Sequence, residues 1–115
     1  MTVIYKICTR GLWEEAEKLG IFRGAPLDTA DGFIHFSTAA QVADTANRHF
    51  AGAPDLMLIA VDAESLGPAL KWEVSRGGKL YPHLYGVLPV NKTLWVRELP
   101  LGFGGTHDFP PEVTG

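Results

Sequence analysis

The chain has 115 residues, a net charge of -3 and 46% hydrophobic residues, with mean hydropathy near zero. That suits one globular domain with a core of its own and excludes a chain disordered by composition. The acidic balance argues against a large nucleic-acid footprint, and no apolar run approaches the ~20 residues of a membrane span.

Residues 2–9, TVIYKICT, are β-branched and aromatic and predict a strand. The single cysteine, Cys8, falls inside it and reads as a small core residue rather than a reactive thiol. RGLWEEAEKLG (10–20) sets Leu12, Ala16 and Leu19 at helical spacing and closes on Gly20, which predicts a short amphipathic helix. IFRGAPLDTADG (21–32) carries Gly, Pro and Asp throughout and predicts a loop. FIHF (33–36) predicts a second strand. STAAQVADTANRHF (37–50) predicts a second helix, capped by Ser37 or Thr38.

LMLIAVDA (56–63) is continuously apolar, as a central strand covered on both faces is. LKWEV (70–74) alternates, which sets Leu70, Trp72 and Val74 on one side and Lys71 and Glu73 on the other. YPHLYG (81–86) contains a proline and predicts an edge or irregular segment. TLWVREL (93–99) is the last strand. The Gly- and Pro-rich stretch 100–115 predicts an irregular tail. Two early helices and late strands make an α+β domain over 1–99, with a bent mixed or antiparallel split sheet. No basic-then-apolar leader opens the chain, so a soluble, cytoplasmic protein is expected.

No phosphate loop, GxGxxG, HExxH, paired-cysteine or GxSxG motif is present, and no metal is expected. His35, His83 and a carboxylate are the minor alternative for a metal. What stands out is a polar set in aromatic surroundings: His35 and Ser37, Arg48 and His49, Glu73 and Arg76, His83 and Tyr85. Singly, each has a plainer role. His35 can bond a backbone carbonyl, Ser37 can cap a helix, and Arg48 can sit as a solvated charge at a helix C-terminus. His49 reads as a surface residue, Glu73 and Arg76 as an exposed pair, and Tyr85 as a packed aromatic. Together they make a candidate site.

The order and spacing of IYKI, DGFIHFST, QV with NRHF, LKWE, SRGG and YPHLYG resemble the small bacterial family catalogued as domain of unknown function 952. The resemblance runs from about Val3 to Pro89. It implies an ADP-ribosyltransferase-like fold, akin also to the RNA 2'-phosphotransferase branch, in which bent split sheets cradle NAD. The GFIHFS segment then supplies His35 and Ser37 to the nicotinamide end. IYKI matches the first strand, with Lys6 where relatives can carry histidine. Glu73 is the tempting catalytic carboxylate, and His83 or Tyr85 a third element.

Breaking the bond between nicotinamide and ribose builds positive charge on the sugar, as in glycoside cleavage. The expected catalytic residues are therefore His35 at a ribose hydroxyl, Glu73 at the cation, and His83. The expected ligand-binding residues are Lys6, Ser37, Thr38, Arg48, Arg76 and Tyr85. The arginines would take pyrophosphate, and a helix start at Ser37–Thr38 would offer N–H groups to an anion. Phe36, Tyr81 or Tyr85 would supply a stacking face. The expected activity is cleavage or transfer of the ADP-ribosyl part of NAD, with NAD as substrate and RNA as a conceivable acceptor. The alternative is a non-catalytic module for a nucleotide or another anionic small molecule. A third reading, an interaction domain with no pocket, would set His35 and His83 far apart.

Overall fold

The computed structural model of the protein describes residues 1–113. The first strand, β1 (Val3–Thr9), enters the core at once, with Ile4, Tyr5, Ile7 and Cys8 buried. Thr9 ends it and caps α1 (Arg10–Leu19), its hydroxyl accepting the Leu12 N–H at 3.3 Å. Gly20 closes α1 at φ 81°, a left-handed turn that glycine adopts without strain. The helix buries Trp13 and Ala16, and the Trp13 ring meets Phe22 at 5.8 Å. A buried aromatic of that size contributes roughly 2–3 kcal/mol.

Residues 21–32 are not the uniform loop that their composition predicts. They hold a short strand, β2 (Ile21–Phe22), and a helical turn, α2 (Pro26–Asp31). Pro26 occupies the first helical position, where its missing N–H costs nothing, and Asp28 folds back to accept the Ala25 N–H at 2.8 Å.

The chain then crosses between two sheets within five residues. Ile34–His35 forms β3, Phe36 is the corner, and Ser37–Thr38 forms β4. Ser37 and Thr38 are therefore not helix caps. They pair antiparallel with Tyr5 and Ile4 of β1, and the helix, α3 (Val42–His49), starts four residues later. The Ser37 hydroxyl reaches Thr45 Oγ1 at 2.8 Å, and the Thr38 N–H is taken by Gln41 Oε1 at 3.1 Å, so no free helix start for an anion exists there.

β5 (Leu56–Asp62) lies, as its apolar run predicts, between β1 and the last strand β9 (Thr93–Leu99) in a four-stranded sheet, β4-β1-β5-β9. The second sheet has three strands, β3-β7-β6, built from β6 (Leu70–Val74) and β7 (Leu80–Leu84), and β2 pairs with β8 (Leu88–Pro89). All pairings are antiparallel. β6 leaves Trp72 and Val74 exposed, at 41% and 69%, while Leu70 of the same alternating set packs on the core. One expectation reverses here. β7, expected at an edge because of Pro82, is the central strand and is almost wholly buried. β3 covers only Leu84 and His83 of β7. The Pro82 carbonyl accepts from Phe36 N–H at 3.0 Å on that same side, beyond the last β3 pair, so the missing N–H costs at most one bond at the corner and leaves the pairing of Pro82 with Trp72 of β6 in place.

After β9 the chain has a short 3-10 turn at 103–105 and an isolated bridge between Leu101 and His107; Phe109 and Val113 pack on the core. The last two residues of the expected tail lie outside the described ones. No described helix is long and apolar enough to cross a membrane.

Candidate functional site

β4 covers only the first part of β1, and beyond it, from Lys6 onward, the edge of β1 is open. A cleft of about 570 Å³ opens there, within the range of small-molecule sites. Its walls come from β1 (Tyr5, Lys6, Ile7), α2 (Asp28, Asp31), the crossing segment (His35, Phe36, Ser37), the end of α3 (Thr45, Arg48, His49), the turn after β6 (Ser75, Arg76) and β7 (Tyr81, His83).

Asp28 is the buried centre of the cleft floor. Lys6 Nζ donates to both its oxygens, at 2.9 and 2.7 Å, Ala25 and His35 give backbone N–H groups at 2.8 and 3.1 Å, and His35 Nδ1 lies 2.7 Å from Oδ1. Burial alone would raise the Asp28 pKa. The His35 hydrogen bond, the Lys6 charge and hydrogen bond, and the Ala25 N–H outweigh it and hold the carboxyl down at about 2. Burial lowers the pKa of the Lys6 ammonium, with Asp28 opposing. Lys6 thus lines the cleft as expected, but its charge is committed to Asp28. Lys6 belongs to the four-stranded sheet and His35 to the three-stranded one, so Asp28 ties the two together.

His35 has a second carboxylate, Asp31 Oδ2, 3.0 Å from Nε2. A neutral imidazole can donate to one of these carboxylates only. Its partner is therefore not the backbone carbonyl of the plainer reading.

His83 faces His35 across the β3–β7 pair, with ring centroids 5.5 Å apart. The reading without a pocket, which needed them far apart, does not fit. Phe33 stacks on His83 at 4.1 Å and 27°, and touches the rings of His35 and Tyr85. His83 Nδ1 is 2.8 Å from Glu73 Oε1, which also accepts from the Tyr85 hydroxyl at 2.7 Å. Those bonds, Tyr85 first and then His83, lower the Glu73 pKa, and the same Glu73 bond raises that of Tyr85. Among the described residues His83 Nε2 has no protein partner.

The residues expected from sequence thus divide. Lys6, His35, Ser37, Arg48, Arg76 and His83 line one cavity, as do Phe36 and Tyr81. Glu73, Tyr85 and Thr38 do not. The first two stand behind His83, and Thr38 is held in β4. Glu73 and Arg76 do not form the surface pair of the plainer reading: Glu73 turns to His83, and Arg76 faces His49 and Asp44. Asp28 and Asp31, which sequence reasoning passed over, both line the cleft. The available signal was Pro26 followed two residues on by Asp28, the mark of a helix start within an apparent loop. His49, expected on the surface, is exposed and also lines the mouth. No three described His, Cys, Asp or Glu side chains are arranged to hold a metal ion.

The chain belongs to the family described as protein of unknown function DUF952, whose model matches residues 7–96. Among solved structures it is similar to the crystal structure of protein CC0527 from Caulobacter crescentus, at 44% identity over 97% of this chain and 98% of that one, with a TM-score of 0.94. It is also similar to the solution NMR structure of CC0527, at 47% identity over 92% and 91% of the two chains, with a TM-score of 0.83. No curated protein matches the sequence.

Proposed function

We propose that the cleft binds a nucleotide of the ADP-ribose class on an ADP-ribosyltransferase-like architecture, with NAD as the substrate of any chemistry. The observation that carries this is the convergence of three imidazoles, four aromatic rings and two arginines on one ~570 Å³ cavity between antiparallel sheets. Phe36 and Tyr81 offer faces for a planar ring, Arg48 and Arg76 offer forked donors for phosphates, and His35 and Ser37 offer polar atoms for ribose hydroxyls. His83, oriented through Nδ1 by Glu73, has Nε2 free to exchange a proton with a hydroxyl. Glu73 acts on the reacting sugar only through that ring, which departs from its expected role at the cation.

That departure favours a second reading, a nucleotide-binding module without chemistry. The overall negative charge gives no support to RNA as a partner beyond the small footprint of an acceptor end.

Calorimetry with NAD and with ADP-ribose, on wild type and His35→Ala, tests both. Binding to wild type that weakens about tenfold in the variant, the worth of one hydrogen bond at a polar ligand group, supports the cleft. No binding of either ligand removes it. Free nicotinamide released from NAD selects the transferase reading, and binding without release selects the module.

A further inference from the structure

At the mouth of the cleft three cationic or titratable side chains converge from two elements. Arg48 and His49 come from the last turn of α3, and Arg76 comes from the turn after β6. Arg76 Nη1 is 3.5 Å from His49 Nε2 and 4.0 Å from Asp44 Oδ2, and Asp44 also takes Arg48 Nε at 3.1 Å. Two guanidinium groups therefore share one carboxylate, and positive charge is left over. Arg76 is held against the Tyr81 ring, 5.5 Å from its centroid, and its Nε is buried with no hydrogen-bond partner among the described residues. A restrained guanidinium with unspent donors beside an imidazole, at the rim of a cavity, suits a tetrahedral oxyanion.

We infer that Arg48, His49 and Arg76 form a phosphoryl subsite that takes up one proton, on His49, as it fills. The subsite rests on the nucleotide reading of the cleft and names where a phosphate of that ligand lies. Without a phosphoryl group beside it, the surroundings of His49 favour its neutral form. Partial burial, then the charges of Arg76 and His35 from neighbouring elements and of Arg48 on its own helix, lower its pKa, with Asp44 opposing. Arg76 Nη1 points a donor at Nε2, so that nitrogen is the acceptor. An arriving phosphoryl group draws the guanidinium donors to itself and reverses the local field. Nε2 then takes a proton from solvent and donates it to a phosphoryl oxygen. His49 thus has a higher pKa in the bound state than in the free one. Affinity is greatest below the free-state value, falls as pH rises through the interval between the two, and levels off above the bound value. Each unit of separation is a tenfold change in affinity.

The test is the titration of the His49 imidazole by nitrogen-detected NMR, alone and with ADP-ribose, adenosine or sulfate. None of these probes changes charge near neutral pH. The expected result is a His49 pKa raised by about one unit or more with ADP-ribose and with sulfate. Adenosine should not raise it, and Arg76→Gln should abolish the effect. In His49→Gln, ADP-ribose binding should lose its pH dependence, with the low-pH affinity falling to the level wild type shows at high pH. If ADP-ribose binds, His35→Ala weakens it and the His49 titration does not move, the subsite is overturned and the nucleotide reading stands. If sulfate raises the His49 pKa through Arg76 while ADP-ribose and adenosine fail to bind, the nucleotide reading falls and an oxyanion site remains. If no probe moves His49, the subsite is overturned whatever else binds.

Discussion

Asp28→Asn removes the charge from the buried carboxylate that joins the two sheets. At neutral pH the Lys6 ammonium, 8% exposed, would then face an amide, and loss of one partner of a buried pair costs about 3–5 kcal/mol. Part of that cost is titratable, and its size follows from Asp28 itself. Its pKa falls from 3.8 to about 2 on folding, nearly two units, which is on the order of 2–3 kcal/mol. Because the folded value is the lower one, this contribution is complete above the unfolded value and is lost as pH falls from about 4 towards about 2. The stability gap between wild type and Asp28→Asn should therefore be widest at neutral pH and narrow by that amount across the acid interval. Urea unfolding of both proteins as a function of pH measures it, and subtraction cancels other carboxylates with lowered pKa, such as Glu64, Glu73 and Glu112. A domain starts with roughly 5–15 kcal/mol, so the variant stays measurable, in an excluded osmolyte where needed. A gap under about 1 kcal/mol at neutral pH would refute the ion-pair argument. So would a gap that ignores pH.

Two further outcomes follow from the same geometry. Glu73→Gln should release the His83 ring from a fixed tautomer, read as a change in its nitrogen chemical shifts, while Tyr85→Phe should leave the tautomer and raise the Glu73 pKa; an unchanged His83 spectrum in Glu73→Gln would end its orienting role. Gly24 sits at φ +113°, and an added Cβ would lie 2.9 Å from Asp28 Cβ. Gly24→Ala should cost about 1–3 kcal/mol in thermal or chemical unfolding and disturb Asp28, whereas a neutral result would show that the segment gives way.

The parts of the fold legible in sequence are those whose signals are local. β1, α1 with its Gly20 end, and the apolar β5 form from residues next to one another in the chain. The misread parts depend on distant partners. Ser37 and Thr38 have the composition of a helix cap, but the open edge of β1 takes them as a strand. Trp72 and Val74 alternate as a buried face would, yet β6 is a sheet edge turned outward. Pro82 argues against a central strand only where both ladders run its full length, and here one stops short. The same division holds at the cleft. His35, His83 and Arg76 were visible as polar residues among aromatics. Asp28 was not, because its importance lies in Lys6, 22 positions away, and in the approach of His35.

That lysine–aspartate–imidazole bridge also has a mechanical consequence. The two sheets that flank the cleft are pinned at its floor, so the floor cannot widen without pulling a buried ammonium from its carboxylate. Adjustment to a ligand falls to the rim, where Arg48 and Asp31 reach solvent. A ligand of the proposed class would accordingly meet a base of fixed width and an adjustable, charged entrance.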